Sequence, residues 1–300
     1  MAQRSRLRNR IEAAVARAVV LSLEKTPLSV ARWLGGFYGE LLDRAIPRLR
    51  RTAERNLSFA WPERDAAWRA RIIDGVFASI GRVLTAFARF PEITAANVGE
   101  WIGYQGFEHY ELAKARGKGV LFATAHLGNW ELSAFAHALL TEPMNVVVRP
   151  LDNPEIDEIV ETRRALSGNK LLSKRDFARG ILKALKENEP VGILVDQNST
   201  ADSGAFVPFF GVPACSGLTF AKLAARSGAA VIPGFAVWDS GKGRYLLRFY
   251  PQVEITGDAA ADTAAIQRAV ETAVREYPDQ WLWIHRRWKT RPEGEPRMYD

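Results

Sequence analysis

The sequence predicts an α/β protein with a mainly parallel central sheet flanked by helices, preceded by an N-terminal helical region that associates with a membrane. From about residue 100, short apolar runs alternate with helical stretches, the pattern of a parallel sheet in an α/β core. Before that, residues 1–92 are rich in alanine, leucine and arginine, with apolar residues at helical spacing. We therefore divide the chain into an N-terminal helical, membrane-interfacial region, residues 1–92, and an α/β core, residues 93–300.

The N-terminal region begins with two apolar stretches, residues 13–23 and 28–42, joined at Thr26–Pro27 and preceded by four arginines. Charged residues interrupt both stretches, so neither offers the run of about 20 apolar residues that a membrane-spanning helix needs. The pattern favours two amphipathic helices that lie in a membrane interface. Packing of these helices on the protein's own core is the alternative. A third stretch, residues 203–221, lacks charge, but its prolines and glycines predict a loop.

In the core, strands are predicted over residues 120–125, 144–148, 191–195 and 229–237, and helices over residues 129–140, 154–166 and 175–187. Parallel sheets bind ligands outside the carboxyl ends of their strands. Three polar residues directly follow predicted strands: His126, Arg149 and Asp196. We expect functional side chains at these positions.

The charge balance indicates an anionic partner. The chain carries 41 Lys and Arg against 34 Asp and Glu, a formal net charge of +7. Such a surface suits phospholipid headgroups, nucleic acid or an acidic carrier protein. Nine tryptophans and fifteen phenylalanines favour lipid, and we expect no nucleic-acid partner.

His126 and Glu131 form the leading catalytic candidate. His126 follows a buried strand, Gly128 allows a tight turn, and Glu131 falls in the first turn of the next predicted helix. This placement resembles a general base with an orienting acid, without a nucleophile of its own, and would deprotonate a substrate hydroxyl. The same spacing recurs at His137 and Glu142, inside a helix, where a structural histidine is the better interpretation.

Other catalytic signatures are missing from the sequence. No Gly-x-Ser-x-Gly elbow, Walker loop, Gly-x-Gly-x-x-Gly or His-Glu-x-x-His occurs. The single cysteine, Cys215, excludes an intramolecular disulfide framework and multi-cysteine metal sites, and is interpreted as structural. We expect neither a metal nor a cofactor.

Three segments carry a family resemblance that runs from about residue 10 to the C-terminus. They are His126 with Glu131, Arg149-Pro150 with Asn153-Pro154, and residues 281–294, Trp-Leu-Trp-Ile-His-Arg-Arg-Trp-Lys-Thr-Arg-Pro-Glu-Gly. The sequence resembles the lipid A biosynthesis lauroyl and myristoyl acyltransferases, within the lysophospholipid acyltransferase superfamily.

The resemblance implies a function and a set of site residues. It implies transfer of a fatty acyl group from acyl carrier protein or acyl-CoA to a hydroxyl of a lipid A precursor, at the cytoplasmic face of the cell inner membrane. His126 would be the general base and Glu131 its partner. The family's arginine matches Arg164, or its neighbour Arg163, and its aspartate matches Asp196, and we expect Arg164 and Asp196 to bind substrate. Acylation of a lysophospholipid, ornithine lipid or phosphatidylinositol mannoside, or non-enzymatic lipid binding by a basic module, remain as alternatives.

Several of these residues also have roles readable from their chemistry. Arg164 could stabilise a tetrahedral oxyanion or bind a headgroup phosphate, and Arg149 and the arginines between residues 286 and 291 could bind phosphates as well. A fatty chain needs an apolar slot, and the aromatic segment with Phe206, Phe209 and Phe210 suits its lining. The alternatives are a solvated helix face for Arg164, a turn or cap for Asp196, and core packing for the phenylalanines.

Overall fold

The computed structural model describes residues 5–173 and 177–299, which form helices around a central sheet. The helices are α1 (Arg6–Lys25), α2 (Leu28–Ala45), α3 (Pro47–Ala60), α4 (Ala66–Ala88), α5 (Val98–Trp101), α6 (Glu108–Lys114), α7 (Trp130–Leu140), α8 (Pro154–Ala165), α9 (Phe177–Lys186), α10 (Thr219–Ser227) and α11 (Ala259–Glu276). The strands are β1 (Ile102–Gln105), β2 (Val120–Thr124), β3 (Asn145–Val148), β4 (Lys170–Ser173), β5 (Pro190–Leu194), β6 (Gly204–Phe209), β7 (Val212–Gly217), β8 (Ala230–Asp239) and β9 (Arg244–Phe249).

The central sheet has seven strands in the order β1-β9-β8-β2-β5-β3-β4. Its neighbours pair in parallel except β8 and β9, which are antiparallel. The predicted α/β class with a mostly parallel sheet and flanking helices is therefore confirmed. At its centre β2 and β5 pair in register, with Thr124 opposite Leu194. The segments that follow β2 and β5 therefore begin next to each other at the same edge of the sheet.

The predicted helices of the N-terminal region are present as α1 to α4. Helices α2 and α4 contact each other backbone to backbone at three glycines, Gly35, Gly39 and Gly81. A Cβ atom at Gly35 would lie 2.7 Å from the carbonyl oxygen of Gly81, closer than real Cβ contacts allow. The described helices include none that is both long enough and apolar enough to span a membrane.

The predicted loop over residues 203–221 is wrong. Strands β6 and β7 form an antiparallel hairpin outside the central sheet, and α10 begins at Thr219. The two prolines do not prevent the hairpin because Pro208 and Pro213 lie opposite each other in the ladder, where a non-hydrogen-bonded pair needs no amide donor.

Candidate active site

The turn after β2 positions His126 at the carboxyl edge of the sheet. Gly128 has a φ of 64°, and a side chain there would collide with the backbone oxygen of Ala236 on β8. The next residue, Asn129, caps α7 by accepting a 3.0 Å hydrogen bond from the Leu132 amide. The turn therefore brings the start of α7 close to the sheet.

Asp196 is the hydrogen-bond partner of the His126 ring. Its Oδ1 lies 2.9 Å from Nδ1 of His126, and its Oδ2 accepts a 2.8 Å hydrogen bond from the His126 amide. Trp281 Nε1 donates to the same Oδ2 at 2.8 Å. The His126 and Asp196 side chains are 15% and 3% exposed, so the pair is shielded from water while the imidazole still reaches the surface. The in-register pairing of β2 and β5 explains the contact, because both residues lie two positions beyond the last paired residue.

Electrostatics favour the ionised form of this pair. Burial alone would lower the pKa of His126, but the Asp196 carboxylate, aided by Glu131, raises it above the ordinary value. Burial alone would raise the pKa of Asp196, but His126 and the Trp281 donor hold it at about 2. Asp196 is thus a fixed carboxylate that orients the imidazole and leaves Nε2 directed away from it.

Glu131 does not occupy the orienting position that the sequence indicated. Its carboxylate forms a bidentate pair with Arg164, with Nε to Oε2 at 2.8 Å and Nη2 to Oε1 at 2.6 Å. The Trp130 indole donates to the same carboxylate at 3.1 Å. The difference arises because the last turn of α8 brings the Arg164 guanidinium to Glu131, whereas Asp196 reaches the ring from the end of β5. Glu131 remains close enough to raise the pKa of His126.

The adjacent arginines of α8 have different neighbours. Arg163 pairs with Glu24 on α1, which ties the two helices together. Arg164 lines the same cleft as His126, and its side chain is 23% exposed. Of the two, Arg164 is therefore the one placed beside the candidate base. Arg149, at the end of β3, is exposed and lines the cleft as well.

A cleft of about 600 Å³ opens beside His126. We call it the main cleft. Charged side chains lie at its outer part, while its inner part runs between the sheet and α7 and is lined by buried apolar side chains. These include Phe122, Phe135 and Met144. The arrangement joins a polar, reactive mouth to an apolar interior, which can hold a molecule with a polar head and a hydrocarbon chain.

The Phe206–Phe210 segment, predicted to line an acyl slot, lies elsewhere. Phe209 and Phe210 are buried in the hydrophobic cluster that contains Trp281 and Trp283, and Phe206 is partly exposed on β6. None of the three lines the main cleft. The hairpin turns these rings towards the C-terminal tryptophans, so core packing, the alternative interpretation, describes Phe209 and Phe210.

The C-terminal segment packs against the residues that follow β5, on the buried side of the site. Arg287, one of the arginines expected from the sequence to bind phosphate, is fully buried, and burial lowers its pKa to about 10. Its Nη1 donates to the Cys215 carbonyl at 2.9 Å, and its Nη2 to Oε1 of Gln267 at 3.1 Å. Gln267 in turn donates to the carbonyl of Val195 at 2.8 Å. This network could not be predicted from the sequence, because its members are far apart along the chain.

Comparison with known proteins places the chain in a family. The sequence model described as bacterial lipid A biosynthesis acyltransferase matches residues 3–290. The lipid A biosynthesis lauroyltransferase of Escherichia coli K12 is 34% identical over 279 residues, covering 91% of this chain and 90% of the relative. The palmitoleoyltransferase of the same organism is 32% identical over 278 residues, covering 91% and 89%, and its myristoyltransferase 26% over 268 residues, covering 89% and 82%. The chain therefore belongs to the family of bacterial lipid A biosynthesis acyltransferases and is an O-acyltransferase.

Proposed function

We propose that the protein transfers a fatty acyl group from acyl carrier protein, or alternatively from acyl-CoA, to a hydroxyl of a lipid A precursor. The observation that carries this proposal is the His126–Asp196 pair at the polar mouth of the main cleft. A base without a covalent nucleophile suits direct transfer to an alcohol, since the alcohol itself attacks.

In this mechanism Nε2 of His126 accepts the proton of the acceptor hydroxyl as its oxygen attacks the thioester carbonyl. The resulting tetrahedral oxyanion collapses, the C–S bond breaks, and the imidazolium returns the proton to the departing thiolate. Asp196 stabilises the imidazolium throughout, in the role that a carboxylate plays in a catalytic triad. No acyl-enzyme is required.

In this proposal the Arg164 guanidinium stabilises the oxyanion. The Glu131 carboxylate accepts hydrogen bonds from Nε and Nη2 of Arg164, which fixes the plane of the guanidinium. Nη1 makes no bond to Glu131. A preorganised donor in a partly buried site stabilises developing negative charge far better than the same donor in water. Glu131 thus acts in the mechanism mainly through Arg164.

The main cleft supports the choice of a lipid substrate. Its interior of about 600 Å³ with buried aromatic and aliphatic walls can enclose an acyl chain, while the exposed Arg149 at its mouth can meet an anionic headgroup. A net charge of +7 suits docking of an acidic carrier protein as the donor.

The N-terminal helices support peripheral association with the cytoplasmic face of the inner membrane. On α2, exposed apolar side chains recur at helical spacing and form an outward stripe: Val30, Trp33, Phe37 and Leu41. On α1 a second set does the same: Leu7, Ile11 and Val15. Apolar stripes beside arginines are the surface with which amphipathic helices enter a lipid interface.

The decisive experiment combines purified protein with acyl carrier protein thioester or acyl-CoA and a lipid A precursor, with products identified by mass spectrometry. We expect one added acyl group, with acyl carrier protein preferred as donor, and no product with His126→Ala. Expression in a bacterial host without its own late acyltransferases should add the same group to lipid A. Acylation only of lysophospholipid, or no turnover with any donor, would contradict the proposal.

A further inference from the structure

A second, smaller pocket carries an excess of positive charge. Its volume is about 190 Å³, and it lies between the α2–α4 pair and the β8–β9 end of the sheet. Three arginines line it, Arg32 on α2, Arg82 on α4 and Arg244 on β9, against one acidic residue, Glu100. We call it the basic pocket.

The three arginines are not neutralised within the protein. Across residues 5–173 and 177–299, no carboxylate oxygen lies within 4.0 Å of the guanidinium nitrogens of Arg32, Arg82 or Arg244, whereas Arg50, Arg89 and Arg248 all have such partners. Arg244 donates to the Gly99 carbonyl at 2.6 Å, and the Arg82 guanidinium lies 5.6 Å from the centre of the Trp238 ring. These contacts orient two of the cations without cancelling their charge.

Two buried polar atoms at this pocket also lack a partner of ordinary hydrogen-bond geometry. They are Nε of Arg82 and the hydroxyl of Tyr245, whose side chain faces Arg82 and Asn129 but is only 2% exposed. Burial raises the pKa of Tyr245 to about 12, so this hydroxyl keeps its proton and can donate. Unsatisfied donors of this kind in a native structure call for a ligand or an ordered water.

We infer that the basic pocket binds a phosphate group carried by a lipid at the membrane surface. Guanidinium groups bind phosphate through paired hydrogen bonds, and three of them around one concavity suit the two or three unesterified oxygens of a lipid phosphate. The pocket is smaller than the ~300–1,000 Å³ typical of sites for drug-sized ligands, which excludes a nucleotide but admits a phosphate and the first atoms of its ester.

Position supports a lipid as the carrier of the phosphate. Arg32 is adjacent in sequence to Trp33, which is 67% exposed on the apolar stripe of α2. A lipid with its phosphate in the basic pocket could therefore place its hydrocarbon chains against the apolar stripe of α2. Tyr245 faces Asn129, the cap of α7, whose next residue, Trp130, lines the main cleft. The beginning of α7 thus separates the two pockets. Only the choice of a lipid carrier rests on the proposed function.

The test measures binding without turnover, so that it is independent of acyl transfer. Arg32→Gln, Arg82→Gln and Arg244→Gln are compared with Arg226→Gln, which removes the same charge from an exposed position on α10. Co-sedimentation uses phosphatidylcholine vesicles with and without phosphatidylglycerol or phosphatidic acid. We expect each pocket variant to lose affinity for the anionic vesicles by about fivefold or more, and Arg226→Gln to lose less.

A second measurement distinguishes the source of the phosphate. If the acceptor supplies it, the pocket variants bind the acceptor in detergent micelles less tightly, with a higher Kd, while binding to phosphatidylglycerol vesicles is unchanged. If bulk lipid supplies it, only vesicle binding falls. Either result supports the inference. Equal loss in Arg226→Gln, or no loss in either measurement, overturns it. Thermal unfolding identifies any variant that fails to fold. In that case the test uses Arg32→Gln, because Arg32 is exposed.

Discussion

The indole of Trp281 holds the catalytic candidate Asp196 by a 2.8 Å hydrogen bond across 85 residues of sequence. Trp281 donates to Oδ2, while Oδ1 of the same carboxylate lies 2.9 Å from Nδ1 of His126. Since Trp281 is 1% exposed, water cannot replace it. The orientation of the imidazole therefore depends on a residue of the C-terminal segment.

Trp281→Phe should keep an aromatic ring at this buried position and remove the donor. A buried hydrogen bond to a charged group contributes roughly 1.5–3 kcal/mol, so we expect a loss of about tenfold or more in kcat. A carboxylate with one donor fewer stabilises the imidazolium more strongly, and the acid limb of the pH–rate profile should move to higher pH. A merely structural role would lower the melting temperature and leave that limb in place.

Asp196→Asn should move the same limb in the opposite direction. The neutral imidazole is the active base, so activity rises with pH through the pKa of His126, which Asp196 raises above its ordinary value of 6.5. Without the carboxylate, burial lowers that pKa, and the limb shifts to lower pH at a reduced plateau. The measurement is kcat/KM against pH. Asp202→Asn, at an exposed carboxyl six residues further on, should leave the limb unchanged.

His126→Ala should lose about 10²–10⁴-fold in turnover while remaining folded, the usual cost of removing a positioned base. His137 is an unsuitable control because it is buried, lines the inner part of the main cleft, and has a pKa lowered to about 4 by burial. His109→Ala, on α6, is the better control and should retain activity. Equal losses in both variants would contradict a base at His126.

Arg163 and Arg164 offer a matched pair of substitutions. Arg164→Lys keeps the charge but not the bidentate contact with Glu131, and we expect kcat to fall about 10- to 100-fold. Arg163→Lys should leave kcat near normal and lower the melting temperature, because Arg163 contacts Glu24 on α1. Steady-state kinetics and thermal unfolding of both proteins separate the two effects. The reverse pattern would assign the catalytic role to Arg163.

Trp33→Glu should weaken binding to anionic vesicles by about tenfold or more, since burying a large apolar side chain is worth ~1.5–3 kcal/mol. The control is Leu112→Glu on α6, because Leu112 and Trp33 are similarly exposed, at 70% and 67%. A point substitution is preferable to deletion of α1 and α2, which would uncover the glycine contact on α4. Equal vesicle binding by both variants would argue against the α2 stripe as the membrane contact.

The sequence predicts the centre of the fold well because its signals there are local. The apolar runs of β2, β3, β5 and β8 are bounded by turns and are fully or mostly buried. Because the carboxyl ends of parallel strands lie at the same edge of a sheet, the sequence also predicts that His126 and Asp196 lie close together. Strand β9 was missed, although its buried residues alternate with partly exposed ones, the period-2 pattern of a strand with two different faces.

The partners within the site could not be predicted in the same way. Glu131 lies in the first turn of the helix that follows His126, so local placement favoured their contact. In the folded chain Glu131 contacts Arg164 instead, and Asp196 contacts His126. The aromatic segment at Phe209 is ambiguous for a similar reason. An apolar hairpin can line a cleft or cover a core, and the C-terminal tryptophans that decide between these are some 70 residues away in sequence.

The order of synthesis determines when the Trp281–Asp196 hydrogen bond can form. The ribosome makes His126 and Asp196 long before Trp281, so β2 and β5 can pair while the carboxylate still lacks its indole donor. The hydrogen bonds of Asp196 are completed only after Trp281 has been translated. A truncated translation product that ends before Trp281 would contain the imidazole and the carboxylate without their fixed alignment, and would also lack the buried tryptophans Trp281, Trp283 and Trp288 of the core.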